Sequence, residues 1–100
     1  MRNIISLASK TTIPNHVIFH EIDGEAAILN LETELYHSLD EIGSRMWRYL
    51  GRGNAIVKVV NSLLDEFEVS EDKLKTDVIN LAETLVKAGL LHIENPADPT

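Results

Sequence analysis

The stretch Glu25–Trp47, EAAILNLETELYHSLDEIGSRMW, decides the fold. It divides into an apolar strand from Glu25 to Leu31, a polar turn Glu32-Thr33-Glu34, a second strand from Leu35 to Leu39, and a helix announced by Asp40. The aromatic and aliphatic residues of Leu35–Leu39 suit a half-buried pleated surface. The Asp40 carboxylate is placed to accept the unpaired backbone donors of the first helical turn. Ile42, Met46, Trp47 and Leu50 recur at the spacing of one helical face. Gly43 in the first turn lowers helix propensity, which points to close backbone packing there.

Working toward the N-terminus, Asp23-Gly24 supplies the positive φ angles of a two-residue hairpin, and HVIFHEID before it reads as a partner strand with some burial on both faces. Three antiparallel strands in a meander follow. Met1 to Asn15 has no sustained period and ends at Pro14, so residues 1–15 are expected to be a lead-in segment. Toward the C-terminus, Gly51-Arg52-Gly53 ends the first helix. A second helix, about Ala55 to Phe67, carries the stripe Ile56, Val59, Val60, Leu63, Leu64 and Phe67. Ser70 caps a third helix with Glu71 and Asp72 in its first turn; Leu74, Val78, Leu81 and Leu85 make its core stripe, and Ile79, Ala82 and Val86 widen the apolar arc. Gly89 is the expected residue after its end, Leu90, Leu91 and Ile93 pack back, and residues 94–100 form a flexible tail. The predicted fold is α+β: a winged helix-turn-helix in which a three-stranded antiparallel sheet is followed by three helices, forming one domain over residues 16–93.

At 100 residues, 44% hydrophobic and 25% charged, the chain has the composition of one soluble domain. It has no cysteine, which excludes disulfides, thiol nucleophiles and cysteine-built zinc sites. No signal-like or membrane-spanning apolar run is visible, so a cytoplasmic protein without a membrane partner is expected. The net charge of −7 opposes phosphate neutralisation, and the helix after the turn sets Lys73, Lys75 and Lys87 against Glu71, Asp72, Asp77 and Glu83. A major-groove reader needs the opposite balance. The alternative, a winged-helix transcription regulator, would have to overcome that charge.

His37, Ser38 and Asp40 are close in sequence, but neighbouring residues of a strand point to opposite faces, so no triad is expected and the chain does not read as an enzyme. His16, His20, His37 and His92 lack metal-ligand spacing; His16 and His20 would stand ~13 Å apart along a strand. No metal and no cofactor is expected. Asp77 stands one helical turn from Lys73 and reads either as an ion pair or as a peptide-contacting carboxylate. What remains is the edge of the third strand, which a protein must cover, by its N-terminal segment or a dimer partner, or else use. Strand addition by an extended peptide is one such use.

The residues also resemble the PqqD-like family, the recognition elements of ribosomally made, post-translationally modified peptides (RiPPs). The resemblance is carried by Asn30-Leu31-Glu32-Thr33, Tyr36, Leu39-Asp40, Gly43 and Trp47, then by Asp77-Val78, Leu81, Leu85 and Gly89-Leu90-Leu91, and covers roughly Val17 to Leu91. Members often have Gly where Glu34 stands and Asp where Asn30 stands. The resemblance implies a non-catalytic module that binds the leader segment of a precursor peptide against the third strand and presents it to a leader peptidase or another modifying enzyme. By position, its contacts would be Leu35, Tyr36, His37, Ser38 and Leu39 on the strand, and Lys73, Leu74, Asp77, Val78 and Leu81 on the helix. A lasso-peptide cluster is favoured over a peptide chaperone of pyrroloquinoline quinone biosynthesis.

Overall fold

The computed structural model describes residues 5–95. Its first sheet is the expected meander: β2 (Val17–Ile22), β3 (Glu25–Asn30) and β4 (Tyr36–Leu39), in the order β2-β3-β4, preceded in the chain by a short strand of another sheet, β1 (Lys10–Thr12). Asp23 and Gly24 take φ of +54° and +82°, closing the hairpin whose register runs from Ile22 opposite Glu25 to Val17 opposite Asn30. Ala26, Ile28 and Asn30 are buried, while Ala27 between them is exposed, so one face of β3 meets the core.

Helix α1 (Glu41–Leu50) covers that face. Asp40 Oδ1 accepts from the Gly43 amide at 2.7 Å, and a Cβ added at Gly43 would meet side chains rather than the backbone expected there, Asp40 Oδ1 at 3.2 Å and Leu39 Cβ at 3.4 Å. Trp47 and Leu50 are fully buried, and Phe19 meets Trp47 edge-on with ring centroids 5.5 Å apart. Ile42, expected on the buried face, is instead exposed in the first turn. Helices α2 (Ile56–Leu64) and α3 (Glu71–Lys87) pack on each other as the helix-turn-helix, with Ser70 Oγ capping α3 at the Lys73 amide. On α3 the buried stripe is Leu74, Val78, Ala82 and Leu85; Leu81 is displaced to a half-buried flank.

A second sheet was not expected. β5 (Arg52–Ala55) and β6 (His92–Glu94) flank β1 in the order β5-β1-β6. Residues read as a lead-in therefore contribute the middle strand of a sheet, and Ile5 joins the core. Thr11, fully buried, donates its hydroxyl to the Leu50 carbonyl at 2.7 Å, tying this sheet to the end of α1. Strands as short as KTT, RGNA and HIE carry too few residues for an alternation to register, and Gly51 and Gly53 read as a plain helix stop. The first residue expected in the tail, Glu94, closes β6; the expectation for residues 96–100 lies outside the described residues, as does that for residues 1–4.

Candidate functional site: the free edge of β4

β4 is the terminal strand of its sheet, and the direction of its backbone groups follows from three hydrogen bonds. The Asn30 amide donates to the Leu35 carbonyl at 2.9 Å, so Asn30 faces β4. Alternation along a strand then turns Ile28 and Ala26 toward β4 as well, opposite His37 and Leu39. At the far end the buried Ser44 hydroxyl bridges the pair, accepting from the Ala26 amide at 2.7 Å and donating to the Leu39 carbonyl at 3.2 Å. The main-chain groups of His37 therefore face β3, the Leu39 carbonyl is taken by Ser44, and the main-chain groups of Tyr36 and Ser38 point outward from the sheet edge.

The side chains divide in the opposite sense. Tyr36 and Ser38 stand on the outer face in register with Leu29 and Ala27, whereas His37 and Leu39 turn toward the core side. Leu35 and Tyr36 are each 69% exposed, Ser38 is exposed and His37 half-buried. Leu39 is 8% exposed and belongs to the core. A cavity of about 430 Å³ opens on the outer face over Ile18, Ala27, Leu29 and Tyr36.

The turn entering β4 is held by Asn30. Its Oδ1 accepts from the amides of Glu32 (2.9 Å) and Thr33 (3.3 Å), and its Nδ2 lies 3.3 Å from the carbonyls of Ala88 and Gly89 at the end of α3. His16 Nε2 meets the same Gly89 carbonyl at 3.1 Å. Start of edge strand and end of third helix are thus fastened together, through a role that motif reading did not attribute to Asn30. A carboxylate in its place could not donate the two bonds to α3, so the amide matters here. Glu34 takes φ +61°, the region glycine enters without penalty.

On α3 the expected residues separate. Leu74 (3% exposed) and Val78 (fully buried) are core. Lys73, Asp77 and half-buried Leu81 follow one another at one-turn intervals on a flank of the helix, Lys73 Nζ lying 3.1 Å from Asp77 Oδ2. Lys75 pairs with Glu71 at 2.9 Å, which raises the lysine's pKa through that hydrogen bond. Two of the three lysines on this helix are thus neutralised by carboxylates of the same helix, the reverse of what a phosphate-binding surface requires.

His37 and Ser38 project from opposite faces, and Asp40 is committed to its cap, so these three do not converge. Among the described residues, no group of three or more His, Asp or Glu is positioned to hold a metal ion, and no helix is long and apolar enough to cross a membrane. Arg48 grips Glu21 on β2 with two 2.8 Å bonds, and Glu66 accepts from both Tyr49 and Arg45. These contacts hold both carboxyls below their ordinary pKa.

Comparison with known proteins bears on the whole arrangement. Among solved structures, TbiB1 in complex with the TbiA(beta) leader peptide is 31% identical, with a TM-score of 0.76, covering 87% of this chain and 99% of that one. Lasso peptide synthetase B1 complexed with the leader peptide is 18% identical with a TM-score of 0.75, covering 83% and 98%, and speaks for the fold alone. No curated protein matches the chain. The family model described as coenzyme PQQ synthesis protein D (PqqD) matches residues 25–91, from the first residue of β3 through β4 and all three helices. The chain belongs to the PqqD family, with a winged-helix-like α+β fold.

Proposed function

We propose that this protein is a RiPP recognition element that binds the leader segment of a precursor peptide by strand addition to β4. The observation that carries the reading is the edge itself: among the described residues, the outward main-chain donors and acceptors of Tyr36 and Ser38 have no partner, and they lie beside exposed apolar side chains. Such an edge pairs readily with an extended chain. Support comes from the similar TbiB1, which binds a leader peptide. In this reading the guest takes main-chain hydrogen bonds from Tyr36 and Ser38, and meets the side chains of Leu35, Tyr36, His37 and Ser38 on one side and of Lys73, Asp77 and Leu81 on the other. Leu39, Leu74 and Val78 act from behind, as the core that holds strand and helix in place.

The module binds rather than catalyses, acts in the cytoplasm, and delivers its guest to a leader peptidase or another modifying enzyme of a lasso-peptide cluster. Calorimetry with the leader peptide of the precursor encoded beside it should give saturable one-to-one binding and an unaltered peptide by mass. A flat titration would overturn the proposal.

A further inference from the structure

The β2-β3-β4 sheet has a second edge, β2, and this strand lacks the devices that keep an edge from pairing. VIFHEI contains no proline, lysine or glycine, and its Ile18, Phe19 and Ile22 are 51%, 47% and 61% exposed. Its sequence reads as a strand with burial on both faces. Yet Ile18 and Ile22 lie open on the outer face, and Phe19 is half open on the core face although it meets Trp47 edge-on. Glu25, Ala27 and Leu29 turn their main-chain groups toward β2, so Ile18, His20 and Ile22 bond to β3 while Val17, Phe19 and Glu21 point outward. The Val17 amide is taken by the Pro14 carbonyl at 3.1 Å. Among the described residues, the outward main-chain groups of Phe19 and Glu21 have no partner.

We propose that β2 pairs antiparallel with β2 of a second copy of this chain, about a two-fold axis at His20. In this register Phe19 and the partner's Glu21 exchange both main-chain bonds, and the symmetry repeats the pair, so all four bonds come from groups without a partner. Registers centred on Ile18 or Phe19 need the occupied Val17 amide, and those centred beyond His20 run into the Asp23-Gly24 turn. The side chains are self-complementary in the same register. On the outer face Ile18 falls opposite the partner's Ile22 and Ile22 opposite the partner's Ile18, with the two His20 side chains facing each other between them. On the core face Phe19 lies opposite the partner's Glu21 and diagonal to the partner's Phe19, within reach of an aromatic ring. The two Glu21 carboxylates, on the other diagonal, are each held by Arg48 of their own chain through two 2.8 Å bonds, so no unpaired like charges meet. The resulting six-stranded sheet keeps both β4 edges open at its ends, and dimerisation is therefore independent of leader binding. A few residues a side fall short of the ~20–30 of a standard interface, so the dimer is a weak one, with a Kd of about 100 µM.

Sedimentation equilibrium of the full chain without any peptide, from about 10 µM to about 1 mM, should show a monomer converting to a dimer. The exposed His20 places the axis. His20→Glu and His20→Lys each set like charges directly opposite one another and should weaken the dimer about fivefold at low salt, whereas an equal mixture of the two variants should dimerise at least as tightly as the parent. Circular dichroism of both variants should match the parent. In the unaltered protein, amide exchange at Phe19 and Glu21 should slow as concentration rises while Tyr36 and Ser38 stay fast. A chain that remains monomeric over this range overturns the inference. So does a mixture of variants that dimerises no better than either alone, or concentration-dependent protection at Tyr36 and Ser38 in place of Phe19 and Glu21, which would put the contact at β4. Leader binding at β4 is read separately by calorimetry, so either result can fail without the other.

Discussion

Replacing Ser38 with proline separates the free edge of β4 from its paired edge. Ser38 points its amide away from β3, so Ser38→Pro removes no bond of the β3–β4 ladder, and proline is tolerated on an edge strand with that orientation. The cost to stability should stay below about 1 kcal/mol. Binding should suffer twice: the guest loses one main-chain hydrogen bond, about 1 kcal/mol, and the pyrrolidine ring occupies the space its carbonyl would enter, displacing the neighbouring bond by a similar amount. The sum, about 2 kcal/mol, weakens the affinity roughly thirtyfold. The control is His37→Pro, one residue away, which removes a donor to β3 opposite the fully buried Ile28 and should destabilise the fold by about 2–3 kcal/mol. Urea unfolding reports the first quantity and calorimetry the second. If Ser38→Pro binds leader within twofold of the parent, the guest does not pair with β4. If it unfolds as readily as His37→Pro, the assignment of the two edges is wrong.

Other perturbations probe what holds that edge in place. Ser44→Ala strands the Ala26 amide and the Leu39 carbonyl that the hydroxyl now bridges, and should lower stability by about 1–3 kcal/mol, read as a shift of the urea midpoint at constant slope. Glu34→Gly should gain about 0.5 kcal/mol by relieving a left-handed residue, less glycine's greater freedom when unfolded, whereas the β-branched Glu34→Val should lose about 1–2 kcal/mol; the reverse order would contradict the +61° turn. Glu21 and Glu66 have depressed pKa values, from the Arg48 hydrogen bonds in the first case and the Tyr49 hydroxyl, then Arg45, in the second. Their stabilisation is present above the ordinary carboxylate value of 4.5 and lost as pH falls through the lower folded values, so unfolding titrations should show stability declining below pH 4.5, with a shallower decline in Glu21→Gln.

The sequence exposed most of this architecture because its punctuation is chemically unambiguous. Asp23-Gly24, Asp40, Ser70 and Gly89 each perform the backbone task expected of them. The second sheet was hidden because its strands are too short for a two-residue period and are drawn by pairing alone from three separate parts of the chain, around residues 11, 53 and 93. Helical periodicity located α3 but put Leu81 in the buried stripe and Ala82 beside it; the fold reverses the two, burying the smaller residue and leaving Leu81 at the flank. For the candidate site, the strand and helix were legible and the roles of individual residues were not. Leu39 and Val78 have the composition of contact residues and the burial of core. The fastening of Asn30 to the end of α3 joins residues 58 and 59 positions apart, a separation that no local pattern encodes.

Amide hydrogen exchange, followed residue by residue with and without the leader peptide, tests the central claim most directly. In the free protein the amides of Tyr36 and Ser38 should exchange fast while that of His37, paired to β3, exchanges slowly. Saturation with leader should slow Tyr36 and Ser38 and leave His37 as it was. Bound leader with Tyr36 and Ser38 still fast, or with new protection at Phe19 and Glu21 on the opposite edge of the sheet, would contradict strand addition at β4.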